Sequence, residues 1–486
     1  MSGRVLLTGC CSCGIFAPVE GSCKKALWIA IAAFACSCSA PAAHRPAGIS
    51  PAGADGAAEG THSMQRAGSE EDLNAETIGS TRRFRLHQGL VMVGKPRPGS
   101  GLVAAQLWLD AGSASDPPGK AGLAHLLEHM VFKGRNGERF SRLVEEAGGD
   151  SNAWTSYDET VFYMQVPKAG FIPALDALLE AVFHPGFDPK DVGREKQVVI
   201  EEINTVRDSP ERWLGDLLFA EAFGEHPYGR NILGDPEQLS SIGPAAISGF
   251  HARWYRPSNM VLSVVGDADI EAVAGHVDNR LRRMKWPKRD VNRASGTAEV
   301  AAKARVRVVG ADVAQAYFML GWPVPGILHP DAPALELLAS VLGAGESARL
   351  VEQLRNRAGL VSDVYSYLHA GLRGGLFVVG GSCRPSMLHR VFHALGGQLA
   401  QLWVPVPEDE LARTKAVLEA DELYMLESVE GEARTIAAGQ VLAGDPRHAD
   451  EHLRRLLALD GDALAAVAEK YLAPDGASLV VMVPRG

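Results

Sequence analysis

Two histidines and a glutamate stand close together in His125-Leu126-Leu127-Glu128-His129. Residues four apart on a helix lie one turn apart on the same face, so both imidazoles could reach one metal ion. Glu128 would lie at the adjoining edge of that face, where a carboxylate can take a proton from a water on the metal. The pattern therefore predicts hydrolysis by a metal-activated water, with His125 and His129 as ligands and Glu128 as the general base.

The residues around this motif distinguish it from a histidine pair on a solvated helix. The polar trio is surrounded by the apolar residues Leu123, Leu126, Leu127 and Met130. Unpaired imidazoles would be costly in such a setting, so a shared metal ion explains the motif better. The order H-x-x-E-H is the inverse of the zinc-protease motif H-E-x-x-H. We therefore expect Zn²⁺ as the cofactor, one ion per chain.

A third ligand is expected, because a catalytic zinc usually takes three protein groups and one water. The stretch 194–204 is predicted to be a helix, with one proline near its start and another beyond its end. Glu195 and Glu202 are seven residues apart and share one face of this helix, whereas Glu201 points about 100° away from Glu202. We predict Glu202 as the third ligand, Glu195 as a catalytic carboxylate that supports the ligands without touching the metal, and Glu201 as solvated.

The segment Gly122–Gly134, which contains the motif, resembles the active-site segment of the pitrilysin/insulinase family of zinc peptidases. It is most similar to the short bacterial members that resemble the β subunit of mitochondrial processing peptidase. Residues 152–160 resemble the N-A-x-T edge strand of this family, and the helix with Glu195 and Glu202 resembles its distal-glutamate segment. The resemblance extends from about Arg82 to the C-terminus, and it implies a zinc endopeptidase for peptides or unfolded protein segments.

An extended strand is expected to hold the substrate. The side chains of residues 161–166 alternate in a way that predicts a strand next to Asn152 and Ala153. If Asn152 and Ala153 form an exposed edge, an extended peptide could add to it through main-chain hydrogen bonds. Without the family resemblance, an ordinary core hairpin would be the preferred explanation of this pattern.

The resemblance also implies a contribution from the second half of the chain. Active members of the family carry an arginine there, followed seven residues later by a tyrosine. Arg355 matches the arginine, but Ser362 stands where the tyrosine is expected, and the spacing makes neither Tyr365 nor Tyr367 a clear substitute. We predict that Arg355 binds substrate and that a homologous partner chain supplies the missing tyrosine. The alternative hypothesis is a non-catalytic or partner-dependent subunit of a peptidase heterodimer.

The body of the chain contains an internal repeat. Ser141–Glu146 recurs as Ala348–Gln353, and an apolar strand, a glycine turn and a helix precede each copy. The second of these helices has no histidine. The mixture of antiparallel strands and amphipathic helices predicts an α+β fold, and the resemblance implies two homologous halves that face each other across a chamber. We predict a zinc-binding peptidase domain at 77–290 and a metal-free homologous domain at 300–486.

The N-terminus has the features of an export signal. Two lysines precede a short apolar run, Ala26–Ala35, which is too short to span a membrane as a helix. A cysteine directly after such a run is typical of a bacterial lipoprotein signal, with either Cys36 or Cys38 acylated. We predict a leader at 1–38, a disordered tether at 39–76 and a location in the bacterial cell envelope, either the periplasm or the outer membrane as a lipoprotein with a lipid anchor.

Composition fits a globular enzyme with a peptide substrate. The 486 residues carry a formal net charge of −10 and contain no basic cluster with interleaved aromatics, so we do not expect nucleic acid as a partner. The length favours two domains, and a hydrophobic content of 46% allows a large core. Six of the seven cysteines lie in the predicted leader, and Cys383 alone remains in the body. This distribution excludes an internal disulfide framework.

Overall fold

The computed structural model describes residues 5–6, 74–284 and 304–485, which form two sheets and the helices packed on them. The strands are β1 (Val5–Leu6), β2 (Asn74–Ile78), β3 (Thr81–Arg85), β4 (Val91–Pro96), β5 (Leu102–Leu109), β6 (Asp150–Thr155), β7 (Thr160–Pro167), β8 (Met260–Gly266), β9 (Arg305–Ala311), β10 (Ala316–Val324), β11 (Asp363–Ala370), β12 (Gly375–Cys383) and β13 (Ser478–Pro484).

The helices alternate with these strands in both halves of the chain. They are α1 (Leu123–Val131), α2 (Gly134–Glu146), α3 (Phe171–Phe183), α4 (Pro189–Arg207), α5 (Pro210–Phe223), α6 (Pro236–Ser241), α7 (Pro244–Trp254), α8 (Ile270–Arg283), α9 (Ala332–Gly343), α10 (Leu388–Ala400), α11 (Glu408–Met425), α12 (Val429–Ala443), α13 (His448–Leu457) and α14 (Gly461–Tyr471). A π-helical segment, Val351–Arg357, follows α9.

The two sheets repeat one topology. The first has the strand order β2-β3-β4-β8-β5-β7-β6, and the second has the order β1-β9-β13-β10-β12-β11. Each contains one parallel pair, β4 with β8 and β9 with β13, and its other neighbours are antiparallel. In this correspondence β6 matches β11, and both are the last strand of their sheet. The predicted α+β fold with two homologous halves is therefore confirmed.

One helix of each half packs on the sheet of the other half. Helix α5 belongs to the first half, but its Leu214 and Leu218 pack against Met319 and Val480 of the second sheet. Helix α12 belongs to the second half and packs on the strands of the first sheet, for instance through Ala433. Because apolar side chains of both helices are buried in these contacts, the exchange holds the two sheets together.

The predicted leader and tether lie outside the described residues except at two places. Val5–Leu6 forms β1, which pairs with β9, and residues 74–76 at the end of the predicted tether belong to β2, which pairs with β3. The tether prediction is therefore wrong at its C-terminal end, because main-chain pairing extends the first sheet there. The predicted boundary between the halves falls within 285–303, outside the described residues. Among the helices that the structure describes, none combines the length and hydropathy needed to span a membrane.

Candidate metal centre

The histidine pair lies on α1, whose first turn is fixed by the loop before it. Both carboxylate oxygens of Asp116 accept hydrogen bonds, one from the N–H of Gly122 and one from the N–H of Ala124, each 2.8 Å long. Gly122 has a φ of +91°, and a Cβ at this position would lie 2.6 Å from the carbonyl oxygen of Leu233. Only glycine fits this backbone conformation and this close approach. The loop thus determines the direction in which α1 presents its histidines.

His125, His129 and Glu202 converge in front of α1. Oε2 of Glu202 lies 3.6 Å from Nε2 of His125 and 3.7 Å from Nε2 of His129. In the part of the chain that the structure describes, this is the one group of three or more His, Cys, Asp or Glu side chains whose ligand atoms lie within 4.8 Å of one another. Ligands of a tetrahedral zinc ion are about 3.3–3.5 Å apart. These three residues therefore fit Zn²⁺ after a small contraction.

Glu195 lies behind His129 and does not join the three ligands. Its Oε2 is 3.4 Å from Nδ1 of His129, and its Oε1 is 3.2 Å from Nζ of Lys133. A carboxylate on the far nitrogen of a ligating imidazole orients the ring and directs the lone pair of Nε2 towards the metal. Glu201 is exposed to solvent, as the helical-face argument predicts.

Glu128 is buried beside the ligands, with 8% of its surface exposed. Its carboxylate accepts a hydrogen bond of 2.6 Å from the hydroxyl of Thr155 on β6. Burial raises the pKa of Glu128, and the hydrogen bond from Thr155 counteracts part of that rise. A carboxylate with a raised pKa is suited to proton transfer near neutral pH.

Two of the three candidate ligands, His125 and Glu202, are in the protonation state that binds a cation, whereas His129 must release its proton when a metal ion binds. Burial, together with the nearby His129, lowers the pKa of His125 to about 4, so this imidazole is neutral at pH 7. Burial also acts to lower the pKa of His129, but its hydrogen bond to Glu202 and the neighbouring carboxylates raise it overall. The same hydrogen bond holds the pKa of Glu202 below its usual value. Neutral imidazole and ionised carboxylate are the forms that bind a metal ion.

A cavity of about 790 Å³ opens in front of this group. On the first half, Asn152 and Ala153 of β6 line it, and the outer edge of β6 has no neighbouring strand among the described residues. The N–H of Ala153 donates to Oδ1 of Asn152 over 2.9 Å, so this donor is satisfied by a side chain rather than by β7. The opposite wall comes from the second half and consists of Met319, Tyr365, Tyr367 and His369.

Arg355 is not among the residues that line this cavity. Its guanidinium pairs with Glu346 and lies 3.3 Å from Oδ1 of Asn356. Ser362 is also absent from the lining, and its N–H donates over 2.8 Å to the carbonyl of Ser382. The structure does not bring Arg355 to the three ligands, and its contact with substrate stays a prediction.

The cavity wall contains three residues that were not predicted to belong to the site, Tyr365, Tyr367 and His369. All three are on β11, and residues two apart on a strand point to the same face. Their spacing therefore indicates that the three side chains share one face of the strand, but it does not show that this face lies opposite α1. Helix α5 contributes three charged residues to the cavity lining that were not predicted either, Glu211, Arg212 and Asp216. No local pattern marks these, because their position depends on the packing of α5 on the second sheet.

Comparison with protein families gives a match in each half of the chain. The family described as insulinase (peptidase family M16) matches residues 92–236, and the peptidase M16 inactive domain matches residues 241–418. The first match contains all three ligands and Glu128.

Similar proteins occur in several bacteria. An uncharacterized zinc protease of Mycobacterium leprae is 30% identical over 350 residues, which cover 70% of this chain and 77% of the relative. An uncharacterized zinc protease of Streptomyces coelicolor is 28% identical over 405 residues, which cover 81% of this chain and 88% of the relative.

Solved structures share the fold. A protease from Helicobacter pylori aligns with a TM-score of 0.78 and 27% sequence identity. The alignment covers 84% of this chain and 100% of the Helicobacter pylori chain. A structure from Pseudomonas fluorescens described as a peptidase M16 inactive domain has a TM-score of 0.72 at 21% identity, with 85% of this chain and 98% of its own chain covered.

Proposed function

The chain belongs to the insulinase family of peptidases, family M16, and from the geometry of its site we propose that it is a zinc-dependent endopeptidase for peptides or unfolded protein segments. The observation that carries this proposal is the convergence of His125, His129 and Glu202 beside the buried Glu128. The names of its relatives, zinc proteases, support the same activity.

The proposed mechanism assigns roles to five side chains and one metal ion. His125, His129 and Glu202 would hold one catalytic Zn²⁺ per chain, which when bound makes a water more acidic and polarises the peptide carbonyl. Glu128 takes the proton from the attacking water and passes it to the nitrogen of the leaving amine. The hydroxyl of Thr155 keeps the carboxylate of Glu128 in position through its 2.6 Å hydrogen bond.

Substrate would bind along the outer edge of β6. An extended peptide can add there as a further strand when the side chain of Asn152 turns away and frees the N–H of Ala153. Main-chain hydrogen bonds do not depend on the side chains of the substrate, but they require an extended backbone. This binding mode favours flexible peptides and unfolded segments over folded proteins.

The oxyanion that forms during the reaction needs a donor beyond the metal ion. Tyr365 and Tyr367 line the wall opposite α1. Burial raises the pKa of both, so both stay protonated at neutral pH. We therefore infer that one of them donates to the oxyanion in place of the tyrosine expected at position 362.

A partner-dependent activity is the second candidate, and the position of Arg355 favours it. Because this arginine lies outside the cavity of its own chain, it could serve the site of a homologous partner, and that partner could supply the missing tyrosine in return. In this case the chain would be a peptidase subunit that is inactive alone. The activity of a purified monomer distinguishes the two candidates.

For the N-terminus we propose export to the bacterial cell envelope, with a lipid anchor on Cys36 or Cys38. The support is the basic and apolar pattern of residues 24–38. Metabolic labelling with a fatty acid in a bacterial host, with Cys36→Ser and Cys38→Ser variants, tests the anchor. Loss of label in one variant identifies the acylated residue, and absence of label in the unaltered chain rejects the anchor.

The experiment that tests the proposed activity is the Glu128→Gln substitution. This variant keeps all three ligands but removes the base, so we expect bound zinc as in the unaltered protein and loss of about 10²–10⁴-fold in the hydrolysis of an unstructured fluorogenic peptide. Glu201→Gln is the matched control on the exposed face of α4 and should preserve both properties. Substantial hydrolysis by the Glu128→Gln protein would refute the assigned role.

A further inference from the structure

A second H-x-x-E-H sequence occurs in the second half of the chain, at His448-Ala449-Asp450-Glu451-His452. It forms the first turns of α13, so its two histidines lie one turn apart. Both line a cavity of about 400 Å³ that is also bordered by α9, α11 and α12. This cavity shares no lining residue with the cavity in front of α1.

Three buried ligand atoms of this second cavity lack hydrogen-bond partners within the described part of the chain. They are Nε2 of His448, Nδ1 of His452 and Oε1 of Glu422. Buried polar atoms are nearly always hydrogen-bonded to protein or water. Two imidazole nitrogens and one carboxylate oxygen, all without partners in one cavity, indicate a ligand that accepts electron pairs.

Glu336 gives His452 the kind of support that Glu195 gives His129. Oε2 of Glu336 lies 2.6 Å from Nε2 of His452, which leaves Nδ1 as the nitrogen available to a ligand. A carboxylate on one ring nitrogen selects the tautomer in which the other nitrogen carries the lone pair. The second group thus repeats the chemistry of the first, with the roles of the two nitrogens exchanged.

We propose that His448, His452 and Glu422 form a second metal site, which binds a divalent transition-metal ion. Two imidazoles and one carboxylate match Zn²⁺ best among the common biological cations. The site is structural rather than hydrolytic. Glu451 has the position in the motif that Glu128 has in the first site, but it is exposed and pairs with Arg454, so no base faces the cavity from this position.

Metal binding would draw the ligands together. The ring centroids of His448 and His452 are 6.1 Å apart, compared with 4.7 Å for His125 and His129. His448 is the first residue of α13, and Glu422 has a long side chain with one free oxygen. The three ligand atoms do not all lie within 4.8 Å of one another without a bound ion, so the proposal requires that rotation about side-chain bonds brings them together.

The site would secure a helix that otherwise has few core contacts. Helix α11 carries Glu422, and Leu411 is its one fully buried residue. A metal ion shared by α11 and α13 would fix the C-terminal end of α11. This end leads directly into α12, the helix that packs on the first sheet. The second site thus stabilises the connection between the two halves.

Zinc content and thermal unfolding test this proposal without measuring peptidase activity. In a His125→Ala/His129→Ala protein, which cannot hold the first ion, we expect one zinc per chain after dialysis and a higher melting temperature when Zn²⁺ is added. Adding His448→Ala and His452→Ala should abolish both. Absence of zinc and of the thermal shift in the first variant would overturn the second site, whether or not the protein is a peptidase.

The matched control is His389→Ala/His393→Ala, because these two histidines have the same spacing on α10 but are exposed. It should leave zinc content and the thermal shift unchanged. If it instead loses as much zinc and thermal shift as His448→Ala/His452→Ala, the ion binds to histidines on the surface, and the proposal is refuted. If the four-fold variant does not fold, Glu422→Gln and His448→Ala/His452→Ala in the otherwise unaltered chain serve instead. Each should lower the zinc content from two ions towards one, and an unchanged content would refute the site.

Discussion

Oε2 of Glu195 lies 3.4 Å from Nδ1 of His129, on the edge of the imidazole opposite the nitrogen that approaches Glu202. Glu195 and Glu202 are two turns apart on α4. One helix therefore carries both a candidate metal ligand and the carboxylate that contacts another candidate ligand. This arrangement makes the geometry of the site depend on the position of a single helix relative to α1.

Glu195→Gln should weaken zinc binding without abolishing the fold. Glutamine keeps the shape of the side chain but accepts a weaker hydrogen bond from Nδ1, so the imidazole of His129 becomes a poorer ligand. We expect about a 10–100-fold loss of zinc affinity, measured by competition with a chelator. Glu201→Gln, on the exposed face of the same helix, is the control and should bind zinc normally. An unchanged affinity in Glu195→Gln would mean that this contact does not support the ligand.

Glu202→Ala and Glu201→Ala separate two adjacent glutamates. Glu202 lies within 3.7 Å of both histidines, whereas Glu201 is exposed. We expect Glu202→Ala to lose most of its zinc during dialysis and Glu201→Ala to retain it, as measured by elemental analysis. Equal zinc loss in the two variants would contradict the assignment of Glu202 as the third ligand.

The candidate metal-binding group could be predicted from the sequence because each of its parts follows from the periodicity of a single helix. His125, Glu128 and His129 lie on one helix, and the periodicity of a second helix distinguishes Glu202 from Glu201. The opposite wall could not be predicted in this way. Tyr365 reaches the cavity only because the exchanged helices hold the second sheet against the first, and this packing depends on contacts between residues far apart in the chain.

Spacing alone also does not distinguish the two H-x-x-E-H sequences. In the first, the glutamate is buried at 8% exposure next to Thr155. In the second, Glu451 is exposed on the surface of α13. The difference comes from the elements that cover each helix, which the five-residue pattern does not contain. The motif alone therefore does not predict that its glutamate acts as a base.

Thr155→Val should shift the acid limb of the pH–activity profile. Glu128 must be ionised to act as a base, so kcat/KM rises as pH increases through its pKa. The hydrogen bond from Thr155 stabilises the ionised form and lowers the pKa that burial raises. Without this donor the pKa rises further, and we expect the acid limb of kcat/KM to move to higher pH. Thr205→Val, an exposed site on α4, is the control; an unmoved limb in Thr155→Val would contradict the role of this hydrogen bond.

Asp158 links the two halves next to the site. Its carboxylate accepts hydrogen bonds from the hydroxyl of Tyr228 and, over 2.8 Å, from the N–H of Leu372, and it lies 3.6 Å from Nε of Arg373. Asp158→Ala leaves these donors without a buried acceptor, so we expect a loss of at least about 2 kcal/mol in the free energy of unfolding. Denaturant unfolding measures it, and Asp363→Ala, at an exposed position on β11, is the control. A change below about 0.5 kcal/mol would show that this contact does not hold the halves together.

Tyr365→Phe and Tyr367→Phe test whether the chain completes its own site. Removal of a hydroxyl that contacts the oxyanion should lower kcat by about 10²–10³ and leave KM and zinc content nearly unchanged. Tyr317→Phe, outside the cavity lining, is the control. Ser362→Tyr should gain nothing in the monomer, because position 362 also lies outside that lining. If both Phe variants keep full activity, neither tyrosine donates to the oxyanion. If the unaltered monomer, identified by light scattering, is inactive until a homologous chain is added, the missing donor comes from a partner.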